Sequence, residues 1–229
     1  MSLLTIKDLM KNTFPLTKQQ LGLWIEQCLH PSNTSYNTCV KVKLKGALDI
    51  QRFLDATPMV IDYFDTLKVY FTEQQGIPFQ CVDKEGIYQP EFIDISEGKL
   101  NETDVINRQA KDILSQKLNT PIDLKKFPIT RACLIKVASD VFYFIGMVPH
   151  IVSDGRSAIL YLESLSIAYN QGQQGLVKKY QSSKRSWQDY IDDNLAKVDQ
   201  EKWLADQQHW QQRLAGATPA AKLPLMVSN

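Results

Sequence analysis

The stretch Val141-Phe-Tyr-Phe-Ile-Gly-Met-Val148, followed without a break by Pro149-His150-Ile151-Val152-Ser153-Asp154-Gly155-Arg156-Ser157, decides how the rest of the chain reads. Eight apolar residues in a row are too few to span a membrane and too uniform for a strand with one wet face. They predict a strand buried on both sides, an inner strand of a sheet covered by helices. Such a strand carries His150, two residues on, to the rim of the sheet, where clefts form. Asp154 can fold back through a tight turn to hold nearby groups. Gly155 allows a backbone conformation or a close approach that a side chain would block. A neutral imidazole in that place can take a proton from an attacking amine or hydroxyl. On spacing alone, H-x-x-x-D-G reads equally well as an ordinary turn ahead of a helix, because so short a pattern has many chance matches.

Working outward, a second strand, Ile129–Val137, precedes this one across Ala138-Ser139-Asp140. After it, Ser157–Tyr169 reads as an apolar helix bounded by Asn170-Gln171-Gly172, and Gln171–Lys184 as a polar surface loop. Ser186–Leu214 reads as a long or broken helix carrying Trp187, Tyr190, Ile191, Trp203, Trp210 and Leu214. Near the N-terminus, Thr17 with Gln20 forms a capping box, and Leu21, Trp24, Ile25, Cys28 and Leu29 recur at helical spacing until Pro31. In Asn37–Lys45, Val40, Val42 and Leu44 alternate with Lys41, Lys43 and Lys45, the mark of a half-buried strand. Ile50–Phe64 reads as a helix broken or kinked at Pro58. Leu67–Phe71 and Phe79–Val82 read as a strand pair around Gln75-Gly76. Glu85–Lys99 reads as irregular, and Asn101–Leu118 as a helix with Val105, Ile106, Ala110, Ile113 and Leu114 on one side. The fold class is α/β, an α+β sandwich of a mixed sheet flanked by helices.

Composition excludes several functions. The 229 residues are 44% hydrophobic and 22% charged, and 26 Lys+Arg against 25 Asp+Glu leave a formal net charge of +1. Those are the proportions of a folded chain, with no basic excess for nucleic acid and no run that spans a membrane. Met1–Pro15 carries Lys7, Asp8 and Lys11 and lacks the pattern of a secretory signal. Cys28, Cys39, Cys81 and Cys133 form no CxxC and read as reduced core thiols, not as disulfides or metal ligands, which points to the cytoplasm. His30, at a helix end before Pro31, and His209, among glutamines, read as structural or solvated. The tryptophans read as core, and the lysines of Asn37–Lys45 as a solvated face that could also meet an acidic partner.

The order of short motifs resembles the condensation domains of nonribosomal peptide synthetases, in the chloramphenicol acetyltransferase-like superfamily. Leu16-Thr-Lys-Gln-Gln-Leu-Gly-Leu-Trp24 and Tyr36-Asn37 resemble the family's opening S-x-x-Q-x-x-L-W and Y-N. Tyr63-Phe-Asp-Thr-Leu-Lys-Val-Tyr-Phe71 resembles an eroded R-H-E-x-L-R-T-x-F. Pro149-His150…Asp154-Gly155 stands for H-H-x-x-x-D-G, Trp187-Gln-Asp189-Tyr190 for Y-x-D-Y, and Trp210–Leu214 with Leu223-Pro224 for the late W-x-x-x-L and L-P. The resemblance implies a two-lobed fold with a tunnel between the lobes. Donor and acceptor peptidyl carrier proteins would dock on opposite faces and bring a thioester and an amine together on phosphopantetheine arms. It implies no covalently bound cofactor and no metal. Residues 1–214 would be the N-terminal lobe and 215–229 a linker toward a C-terminal lobe that the sequence lacks.

The resemblance assigns chemistry to His150, with Asp154 and Gly155 completing the signature. Pro149 replaces the first histidine. The family's aspartate is held by an arginine, so Asp154 is expected to need a cation, with Lys68 or Arg156 as the supporting residue. Lysine lacks the planar fork of arginine and would support it less well. Two alternatives stay open: a free-standing acyltransferase using coenzyme A, and a non-catalytic carrier-docking module. An epimerisation domain fits less well, because Gly155 and Ser157-Ala158 depart from that branch.

Overall fold

The computed structural model describes residues 13–96, 103–182, 185–196 and 200–217. Its elements begin with β1 (Thr13–Pro15), α1 (Lys18–Leu29), β2 (Asn37–Lys45) and α2 (Ile50–Tyr63). A 3-10 turn, Asp65–Lys68, leads into β3 (Val69–Gln74) and β4 (Ile77–Val82), followed by β5 (Glu91–Asp94) and α3 (Thr103–Leu118). Then come β6 (Arg131–Ala138), β7 (Val141–Pro149), α4 (Gly155–Tyr180), α5 (Trp187–Ala196) and α6 (Gln200–Leu214). The chain divides into two compact units, Met1–Ile191 and Asp192–Asn229.

The first unit contains two sheets. One is a three-stranded sheet in the order β1-β4-β3; the other is four-stranded, β2-β7-β6-β5, antiparallel except where β5 runs parallel to β6. Strand β7 is the expected inner strand. Its Phe142, Phe144 and Val148 face a core made with α2 and α4, while Ile145 and Met147 face Ala110 and Leu114 of α3. An uninterrupted apolar run is what a strand covered on both faces requires, and each such large side chain contributes about 2 kcal/mol on burial. Gly146 is needed for a close approach, since a Cβ there would stand 2.8 Å from the Tyr161 ring. A third core joins Trp24 of α1 to Val69 and Phe71 of β3, and it includes Ile151 and Ile191.

Several expectations change. Helix α2 runs through Pro58 without a break, because Phe53, Ala56, Val60 and Ile61 of one face are all buried in the core and outweigh the local cost. Strands β3 and β4 are longer than expected and meet at a turn in which both Gln75 (φ 51°) and Gly76 (φ 79°) are left-handed. Strand β5 lies inside a segment read as irregular. The polar loop expected over Gln171–Lys184 is instead helical to Tyr180. Gly172, at φ 65° and ψ −164°, bends α4 and resets its periodicity, so that Leu176 and Tyr180 are buried and Tyr180 meets the Ser164 hydroxyl at 2.9 Å. Of the long or broken helix expected over Ser186–Leu214, the helices Trp187–Ala196 and Gln200–Leu214 are described. Cys28, Trp203 and Trp210 are exposed, not core. The faces expected of Val105 and Ile106, the Leu223-Pro224 motif, and Lys7, Asp8 and Lys11 lie outside the described residues.

Among the described residues no helix is long and apolar enough to cross a membrane, and no three His, Cys, Asp or Glu side chains cluster as a metal site.

Candidate active site

The turn after β7 is built by its neighbours. The His150 N–H donates to the Tyr36 carbonyl at 2.7 Å, extending the β2–β7 ladder by one residue. Bonded pairs in that ladder fall on even numbers of β7, from Gly46 N to Asp140 O at one end to His150 at the other. Pro149 therefore turns its nitrogen away from β2, to the side where β6 pairs no further than Met147 with Arg131. Its missing N–H costs the ladder nothing. The turn closes through Val152 N–H to Pro149 O at 3.1 Å and through the Ser153 hydroxyl, 3.0 Å from Pro149 O.

The His150 ring is exposed, and its Nδ1 stands 2.5 Å from the Ser153 carbonyl oxygen. A carbonyl only accepts, so Nδ1 carries the hydrogen, and in the neutral ring Nε2 keeps its lone pair. The ring is thus held in one tautomer with its basic nitrogen free.

Asp154 has a different setting from the one expected. It is exposed and caps α4: Oδ1 accepts the Ser157 N–H at 2.8 Å and the Ser157 hydroxyl at 2.7 Å, while that hydroxyl accepts the Asp154 N–H at 3.2 Å. The Ser157 hydroxyl, then the Ser157 N–H, hold its carboxyl below the ordinary aspartate value, with smaller contributions from the Arg156 N–H and, when its ring is protonated, from His150. Among the described residues no cation is ion-paired with it. Lys68, expected in that role, is 7% exposed and bonds Asp62 at 2.9 Å and the Lys84 carbonyl at 3.2 Å. Asp62, six residues back in the last turn of α2, is the carboxylate that Lys68 meets. Arg156 is exposed and, among the described residues, in no ion pair. Gly155 has no left-handed φ, and a Cβ there would meet nothing within 4 Å, so neither expected reason for a glycine applies among the described residues.

Sequence reasoning missed one group of residues. Gln20, quoted for its cap, and Gln80, not singled out, form a buried side-chain pair at 2.9 and 3.0 Å that also reaches the Ile151 carbonyl and the Trp187 ring N–H. The available signal was a lone glutamine inside the apolar strand Phe79–Val82.

Other candidates recede. His30 bonds Glu26 at 3.0 Å, and His209 lies edge-on to Trp210. Burial raises the thiols of Cys39, Cys81 and Cys133, the last to about 11, which leaves them protonated and poorly nucleophilic at neutral pH. Near the far end of β7, Lys41, Lys43, Arg108, Lys111 and Tyr143 line a basic groove of about 560 Å³, with both lysine amines 5.9 Å from the Tyr143 ring centre.

With this geometry in place, comparison with known proteins is informative. The family described as Condensation domain matches residues 10–228. This chain belongs to the condensation-domain family. It is 27% identical over 213 residues to a dimodular nonribosomal peptide synthase of Bacillus subtilis (strain 168), covering 92% of this chain and 9% of the relative. It is 26% identical over 215 residues to bacitracin synthase 2 of Bacillus licheniformis, covering 93% and 8%. In fold it is similar to the starter condensation domain of rhizomide synthetase RzmA, with a TM-score of 0.72 at 19% identity over 92% of this chain and 51% of that one. Tallysomycin biosynthesis protein TlmII gives 0.72 at 18% identity over 90% and 48%. The condensation-domain chain thus spans about half of these solved structures and under a tenth of these curated relatives.

Proposed function

We propose that this chain supplies the catalytic imidazole of an amide-forming condensation. The amine of a carrier-bound aminoacyl group attacks the thioester carbonyl of a carrier-bound acyl or peptidyl donor. The partners are donor and acceptor peptidyl carrier proteins, each presenting its group on a phosphopantetheine arm, and the chain itself holds no covalent cofactor. Residues 1–214 act as one lobe, with 215–229 connecting to a second lobe that completes the tunnel. The compartment is the cytoplasm.

In the step, the N–C bond forms, charge collects on the carbonyl oxygen, and the carbonyl is restored as the C–S bond breaks. The proton leaves the amine, rests on Nε2 of His150 and ends on the departing thiolate. One observation supports this role above others: Nδ1 is committed to the Ser153 carbonyl, which leaves Nε2 as an acceptor. An oxyanion stabiliser would instead need an N–H at that position. Backbone N–H groups near Gly155, at the positive end of the α4 dipole, suit the oxyanion. Asp154 holds the start of α4, Pro149 ends β7, and Arg156 stands beside the turn. Lys68 ties the end of α2 to the Lys84 carbonyl beyond β4. The basic groove offers the charge to meet an acidic carrier surface.

A non-catalytic docking role is favoured by one observation, the absence of any cation on Asp154 among the described residues. The test is His150→Ala in the native protein with two loaded carriers, read by mass spectrometry of the product. Loss of about 100-fold or more is expected for removal of a general base. Unchanged product formation would remove the proposed role, and carrier binding indifferent to His150 with no product in either form would favour docking.

A further inference from the structure

We infer that the buried amide pair Gln20–Gln80 is a positioning device for the His150 turn, with Gln20 setting where the imidazole stands; this rests on His150 acting as proposed above. The pair is closed on itself. Gln20 Nε2 donates to Gln80 Oε1 at 2.9 Å, and Gln80 Nε2 donates back to Gln20 Oε1 at 3.0 Å. The remaining capacity of both amides is also used. Gln20 Oε1 accepts the Thr17 N–H at 2.9 Å, and Gln20 Nε2 donates to the Ile151 carbonyl at 3.2 Å. Gln80 Oε1 accepts the Trp187 ring N–H at 2.9 Å, and Gln80 Nε2 donates to the Pro15 carbonyl at 2.8 Å.

Each primary amide has two N–H donors and an oxygen with two lone pairs, and here every one is engaged. The arrangement has no flipped alternative. The Thr17 and Trp187 N–H groups can only donate, and the Pro15 and Ile151 carbonyls can only accept. Gln80 is 0% exposed and Gln20 5% exposed, so water cannot replace a lost partner.

Ile151 is the residue after the imidazole. Its side chain is buried against the core that holds Trp24 and Phe71, and its carbonyl is tied to α1 through Gln20. The main chain beside His150 is therefore fixed from two directions while the ring itself reaches solvent. A reacting group displaced by about 1 Å can lose about 100-fold in rate, so this tie bears on catalysis as well as on folding.

The experiment compares Gln20→Leu, Gln80→Leu and the double variant in the native protein. Each single change strands the opposite amide in the core and lowers stability; the double change removes both amides and returns part of it. The Ile151 carbonyl still lacks its donor in the double variant. We expect Gln20→Leu to lower kcat for condensation about tenfold with KM little changed. We expect kcat to stay low in the double variant although its urea midpoint recovers. Nitrogen NMR of His150 should show the Nδ1–H tautomer in the wild type and a mixture in Gln20→Leu. Recovery of kcat together with stability, or an unaltered tautomer in Gln20→Leu, would overturn the positioning role. Failure of the underlying reading looks different: His150→Ala would then condense carriers as well as the wild type does.

Discussion

Lys68 places an ammonium where water scarcely reaches, 7% exposed, and its charge is met by Asp62 and one main-chain carbonyl. The Asp62 side chain is 54% exposed, so the two partners are not equivalent. Removing the carboxylate leaves a charged group in the interior with a single acceptor; replacing the lysine with an apolar chain of similar length leaves an aspartate that water can solvate. Asp62→Ala should therefore cost about 2 kcal/mol and Lys68→Met about 1 kcal/mol or less, in urea unfolding. The reverse order would mean that the lysine stem, and not its charge, matters. The pairing also explains a misread residue. Lys68 occupies the position from which the resemblance expected support for Asp154, but it bonds Asp62 at the end of α2, and sequence order cannot rank rival partners of one cation.

Helix α4 starts at the Asp154 cap and bends at Gly172, and these two points differ in how they show in sequence. The cap is a local device, as is the Thr17–Gln20 box of α1, and both follow from residues three apart. Asp154→Ala should cost about 1 kcal/mol and Asp154→Asn little, since asparagine caps as well. The carboxyl titrates below its ordinary value in the fold, so its charged form is the stabilising one. The share of its contribution that depends on charge is present above about pH 4 and is lost as pH falls through the depressed folded value. The stability gap between wild type and Asp154→Ala should accordingly narrow in acid; a gap constant from pH 6 to pH 2 would contradict the charge-assisted part of the cap. Gly172 hid the second half of α4 because its left-handed backbone shifts the phase of the apolar positions, leaving Leu176 and Tyr180 without a visible stripe. Strand β5 was missed because four residues with one inward isoleucine make no pattern, and its place is set by parallel pairing with β6.

For the molecule as a whole, the local structure of the continuous stretch that carries the candidate site was legible. The inner strand, the imidazole after it and the helix beyond all follow from Val141–Ser157, because burial and end of strand are local in sequence; the Asp154 cap is as local, but the resemblance drew Asp154 toward a cation instead. What was not legible depends on residues 60 to 131 positions apart meeting in one place, as Gln20 meets Gln80 and Ile151. Their reciprocal bonding has an evolutionary consequence. A lineage that loses either glutamine carries an orphaned amide until the other is lost too, so descent through single changes is obstructed. Among related sequences the two sites should covary, and chains retaining one without the other should be scarce in any large alignment.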